Sequence, residues 1–247
     1  MQYNKRMTNA KALAGPAMIE ITDLNKKFNT QSVLKDLSLT IAGGEFCILV
    51  GANGAGKTTL LRILAALVRP DSGEVLLEKE PLFADPSLRR KIGYLGHQSL
   101  FYGDLSAWEN LRHYARLYNL SNSEEIIRKC ITQSGLTPHQ HKPLRTYSRG
   151  MQQRLALERA LMHSPSLLLL DEPHSGLDQD AANGLDERLR QLHLKGCTLL
   201  VAAHRPQRLL QSATHAAWLR EGQITDKVTL DQLSDIPGLD SYIREVK

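Results

Sequence analysis

An apolar run over residues 46–50 is followed by Gly51, Ala52, Asn53, Gly54, Ala55, Gly56, Lys57 and Thr58, the pattern G-x-x-x-x-G-K-[ST]. Apolar residues then recur at helical spacing. No other stretch of the sequence limits the fold so tightly. A buried strand must run into a loop whose glycines let successive N–H groups point inward, and a helix must start where the loop ends, adding the positive end of its dipole. Phosphate oxygens are the ligands such a loop suits. Lys57 offers a point charge to the outer phosphates, and Thr58 and Thr59 follow, with the Thr58 hydroxyl available to Mg²⁺. A glycine-rich turn can match this pattern by chance, but the strand–loop–helix setting points to a nucleoside triphosphate site.

The rest of the chain fits around that unit. From residue 19 onward short apolar runs alternate with helical patterns, which implies an α/β fold with a largely parallel sheet. Residues 19–24 and 33–41 read as antiparallel strands at an edge. Leu60, Ile63, Leu64, Leu67 and Val68 share one helix face, and the proline and glycine of residues 69–73 are expected to stop that helix. Residues 99–162 read as a helical insertion: Trp108, Leu111, Ala115 and Tyr118 recur at helical spacing, and a second helix opens at residue 123 behind a serine cap. The apolar runs 167–170 and 198–202 are expected to be parallel neighbours, joined by a helix carrying Leu185, Leu189 and Leu192 on one face. The expected domains are a flexible basic tail over residues 1–17, or an upstream start ahead of Met18, a main domain over 18–225 and a C-terminal appendage over 226–247.

Composition narrows the setting. The chain has 247 residues and three cysteines without metal-type spacing, so neither a disulfide framework nor a zinc site is indicated and a reducing cytosol fits. No apolar stretch reaches the roughly 18–20 residues of a spanning helix. The formal net charge of +5 raises the question of nucleic acid.

A second polar cluster stands at the end of the 167–170 run, where Asp171 and Glu172 precede Pro173. Adjacent carboxylates at the end of a buried strand need a partner, because unpaired charge is expensive to bury. Asp171 would hold Mg²⁺ through water, and Glu172 would polarise an attacking water; an acidic helix cap after the strand is the plainer alternative. Tyr147, Ser148, Arg149, Gly150, Met151, Gln152, Gln153 and Arg154 lie upstream. There a small hydroxyl and a glycine open a helix with an arginine on it, a second anion-binding terminus.

With this segment the chain resembles the ATP-binding subunits of ABC transporters, whose signature is commonly Leu-Ser-Gly-Gly-Gln. The resemblance covers about residues 18–225 and implies a P-loop NTPase ABC ATPase core, α/β, with an antiparallel β subdomain and an inserted helical subdomain. It makes Phe28 the adenine platform and assigns Gly51, Asn53, Gly54, Ala55, Gly56, Lys57, Thr58 and Thr59 to the phosphates. Gln98 would contact Mg²⁺ and the water, joining Thr58 and Asp171 as metal ligands, while Glu172, Gln98 and His204 would form the catalytic set. Ser148 and Gly150 would serve the nucleotide held by a partner copy, and Asp178, in the segment Ser175, Gly176, Leu177, Asp178, would cross the dimer interface. Arg149 and Met151 depart from the common signature.

The resemblance therefore implies ATP and Mg²⁺ as cofactors, a head-to-tail dimer of nucleotide-binding domains, and integral membrane transporter subunits as partners. It implies a peripheral position on the cytoplasmic face of the inner (plasma) membrane. Residues 93–98, 100–111, 114–118, 147–154 and 176–180 are similar to the ATP-binding subunit of the bacterial haem exporter of cytochrome c biogenesis. Another exporter, for a drug, lipid or polysaccharide, and a soluble ABC ATPase remain open as alternatives. Residues 1–17 carry +3 of the charge, and several bases of the main domain lie in or beside phosphate-facing motifs. ATP explains the basic balance better than nucleic acid, which is not an expected partner.

Overall fold

The computed structural model describes residues 16–203 and 206–230. His204, residues 1–15 of the expected basic tail, and the appendage from 231 onward lie outside the described residues.

Two sheets form. Strands β1 (Ala17–Phe28), β2 (Gln31–Ala42), β4 (Ser72–Leu77) and β5 (Glu80–Pro81) make an antiparallel sheet in the order β2-β1-β4-β5. Strands β3 (Phe46–Val50), β6 (Ile92–Leu95), β7 (Leu167–Asp171), β8 (Thr198–Ala202), β9 (His215–Arg220) and β10 (Gln223–Thr229) make the main sheet, ordered β10-β9-β3-β8-β7-β6. All main-sheet pairings are parallel except β9 with β10. The expected antiparallel pair is thus confirmed as β1 and β2, but in a sheet of its own, with β1 between β2 and β4. The 167–170 and 198–202 runs are the expected parallel neighbours, in register from Leu167↔Thr198 to Asp171↔Ala202.

The main sheet is covered on both faces, which is why its central strands β3, β7 and β8 read as nearly unbroken apolar runs. Cys47, Leu49, Leu167, Leu169 and Leu200 point to α1 (Lys57–Leu64) and the antiparallel sheet. Alternate residues Phe46, Ile48, Val50, Leu168 and Leu170 point to α4 (Arg149–Leu161) and α5 (Gln179–Leu194). The insertion has its own apolar core, in which Leu111 and Ala115 of α2 (Ala107–Leu117) and Ile127 and Ile131 of α3 (Ser123–Gln133) meet Leu155 of α4.

Three expectations need correction. Helix α1 ends at Leu64, because Ala66 takes a left-handed backbone (φ 55°); Leu67 is exposed and only Val68 returns to the core. Ser123 is the first residue of α3 rather than its cap; Asn122 holds that position in left-handed conformation without a side-chain cap bond. The 225/226 boundary falls inside β10, which stays paired with β9 as far as Thr229↔His215. Lys227 on that strand reaches the buried Glu45 carboxylate at 2.6 Å. Among the described residues no helix is long and apolar enough to cross a membrane, and Cys47, Cys130 and Cys197 are free thiols.

Candidate nucleotide site

Strands β3 and β7 flank β8, so their carboxyl ends lie side by side, and the loop after β3 meets the acids at the end of β7 there. Two glycines make the loop possible. A Cβ on Gly51 would lie 2.5 Å from the Leu219 carbonyl oxygen, and Gly56 combines φ 111° with a Leu34 methyl 2.8 Å from where its Cβ would be. Gly54 is also left-handed, while Ala55 donates its N–H to the Ala52 carbonyl at 3.2 Å. Gly56 is the N-cap of α1 and brings no side-chain cap.

Lys57 is buried, and its ammonium lies over the loop, donating to the carbonyls of Gly51 at 2.6 Å and Ala52 at 3.0 Å. Burial pushes its pKa down, against the pull of Glu172 and Asp171. Asp171 is 3% exposed, and burial raises its pKa above the ordinary 3.8. A hydrogen bond from Thr58 opposes that rise, Glu172 adds to it, and Arg62 and His97 oppose it. A hydroxyl and a carboxylate in contact suit a hard cation. One carboxylate and one hydroxyl, both oxygen donors, fit an ion such as Mg²⁺, which keeps several of its waters. A curled loop around a buried ammonium fits polyphosphate.

Glu172 follows with φ 49°, its N–H bonded to the Ala202 carbonyl at 2.9 Å. The structure thus gathers Lys57, Thr58, Asp171 and Glu172, with Asn53 exposed on the loop and Thr59 in the first turn of α1. Gln98 is exposed in the bend after β6. Phe28 sits at the tip of the β1–β2 hairpin, 47% exposed, with the Lys26 ammonium 5.4 Å from its ring centroid. That hairpin passes over the loop at Val33 and Leu34.

Ser148, Gly150 and Asp178 form a second cluster. Ser148 caps α4, its Oγ accepting from the Met151 N–H at 3.2 Å, and Asp178 caps α5, accepting from the Ala181 N–H at 2.9 Å. The Leu177 side chain approaches Gly150. Arg149 donates to Ser175 Oγ at 3.0 Å and packs across Gly176, whose φ of 76° would strain any residue with a side chain. Gln153 donates to the Pro173 carbonyl at 3.0 Å, so α4 grips the segment after Glu172 at two points.

Sequence reasoning missed Arg62 and Tyr94. The Arg62 guanidinium lies near enough to Tyr94 and Asp171 to favour the ionised form of each. The available signal was its i+4 spacing from Thr58 on α1.

Residues 34–175 match the family model described as ABC transporter. The ABC transporter ATP-binding protein NatA of Bacillus subtilis is 32% identical over 225 residues, covering 87% of this chain and 91% of that protein. The bacitracin transport ATP-binding protein BcrA of Bacillus licheniformis is 32% identical, over 87% of this chain and 71% of that one. Among solved structures, the dimeric post-hydrolysis state of the ATP-binding cassette MJ0796 bound to ADP and Pi superposes with TM-score 0.79 at 27% identity, covering 86% of this chain and 99% of that one. An ATP-binding subunit of an ABC transporter gives TM-score 0.82 at 28% identity, covering 93% and 99%.

Proposed function

The chain belongs to the ABC transporter family as an ATP-binding subunit, and from that premise we propose that it hydrolyses ATP to drive transport through separate integral membrane subunits. The observation that carries this reading is the meeting of Lys57, Thr58, Asp171 and Glu172 at one sheet edge. Lys57 supplies positive charge to the outer phosphates, and Phe28 offers a ring face to the adenine. Thr58, Asp171 and Gln98 would hold Mg²⁺, which would neutralise phosphate charge when bound. Glu172 accepts a proton from the attacking water, so the work asked of the protein is positioning and charge neutralisation. His204 completes the catalytic set. Ser148 and Gly150 of a second copy, with Asp178 at the interface, would close the site head to tail.

Glu172→Gln should retain ATP binding, lower turnover by about 100-fold or more, and accumulate the closed two-copy form. Normal turnover in that variant removes Glu172 from the role of base.

For the cargo we propose haem, or a related substrate, exported for cytochrome c biogenesis from the cytoplasmic face of the membrane. The support is the resemblance of residues 93–98, 100–111 and 114–118, together with 147–154 and 176–180, to that exporter's ATP-binding subunit. Loss of c-type cytochromes on deletion of the gene is the expected result; intact cytochromes would move the reading to another exporter.

A further inference from the structure

Outside the residues already given roles, one polar network ends two positions from Glu172. His174 Nε2 lies 2.6 Å from Asp186 Oδ1. The other carboxylate oxygen, Oδ2, accepts from Arg208 Nε at 3.2 Å. Arg208, in a 3-10 turn over Pro206–Arg208, also donates through Nη2 to Asn183 Oδ1 at 2.7 Å and through Nη1 to Gln179 Oε1 at 3.3 Å. Gln179, Asn183 and Asp186 occupy one side of α5, at spacings of four and three. Arg208 lies along that side, and His174 is fixed at its inner end. The side chains of His174 and Asp186 are mostly buried, at 18% and 23% exposure.

Helix α5 does not depend on this network for its place, since Asp178 caps it and Leu185 and Leu189 seat it in the core. The loop is what gains. Glu172 holds a left-handed backbone (φ 49°), strained for a non-glycine residue, a conformation that persists only where the surroundings over-determine it. Pro173, with its φ fixed by the ring, joins Glu172 to His174 as a stiff link. The link between the two residues thus has one backbone torsion fewer with which to absorb a displacement of the His174 ring.

We propose that Asp186, steadied by Arg208, is a positioning residue for hydrolysis: its carboxylate fixes His174, and His174 fixes the loop that aims Glu172. This rests on the ATPase reading above. In the purified full-length chain, ATP affinity, kcat, KM and melting temperature are measured side by side. Asp186→Ala should lower kcat ~10–100-fold, the penalty of a misplaced reacting group, with ATP affinity within twofold of wild type. His174→Ala should show the same fall, the double variant no further fall, and His174→Gln, which restores an N–H toward Asp186, most of the wild-type rate. Unchanged kcat in Asp186→Ala, or losses that multiply in the double variant, overturns the proposal. Should Asp186→Ala fail to fold, His174→Ala and Arg208→Gln decide the matter from the two ends of the network, and a normal kcat in both overturns it. A wild-type chain inert toward ATP would instead overturn the ATPase reading, and this proposal with it.

Discussion

Helices α1 and α4 both begin at segments expected to meet phosphate, yet their first turns are built in opposite ways. At α1 the cap is a left-handed glycine with no side chain to offer, and the charged neighbours, Lys57 and Asp171, both carry a burial cost. At α4 the Ser148 hydroxyl answers the Met151 N–H, and Arg149 and Gln153 are bonded to the loop beside them. The first terminus holds unfavourable electrostatics that an anion and a cation together would relieve. The second is already satisfied, so in the proposed role Ser148 would have to exchange its cap bond for a ligand. Substitution should therefore spare or raise fold stability at the first site and lower it at the second.

The largest effect is expected at Asp171. Because its folded pKa is raised, the native state holds a proton that the unfolded chain has released, so stability falls as pH rises upward from 3.8 through the folded value. Asp171→Asn should remove that decline, raise the melting temperature at neutral pH and nearly abolish Mg²⁺-dependent turnover; thermal unfolding across pH alongside an ATPase assay checks both. A lower melting temperature would break the contrast. Next comes Lys57→Ala, which removes charge-assisted bonds of roughly 1.5–3 kcal/mol to phosphate. It should weaken ATP affinity about 10–100-fold, read by equilibrium nucleotide binding, while leaving the melting temperature nearly unchanged. Ser148→Ala is the smallest, a loss of about 1 kcal/mol from the missing cap. It should appear as a lower melting temperature with ATP affinity of the isolated chain unaltered, and an unchanged melting temperature would mean that the hydroxyl does not cap α4.

Much of this was legible in the sequence for a physical reason. Parallel strands buried on both faces leave continuous apolar runs, so β3, β7 and β8 could be marked, and the phosphate loop carries its geometry in its glycines. What escaped was set by longer-range or subtler causes. Nothing in the periodicity of Leu67 and Val68 announces that Ala66 turns left-handed and ends α1. Strand β10 holds only two apolar residues, Ile224 and Val228, and reads as surface, although Lys227 is drawn to a carboxylate at Glu45, far away in the chain. Side chains paired across distant segments, such as Arg208 with Asp186, leave no local pattern. The cap that Asp178 gives α5 was not read from the sequence, where the residue stood only as part of an interface segment.

The bonds from Arg149 and Gln153 to the segment after Glu172 have a consequence for a head-to-tail pair. In such a pair α4 would answer to the nucleotide on the neighbouring copy, whereas residues 172–175 answer to the chain's own. Tying them together makes the two occupancies linked quantities: whatever free energy one bound nucleotide spends in shifting that segment alters the affinity of the other by the same factor, in both directions.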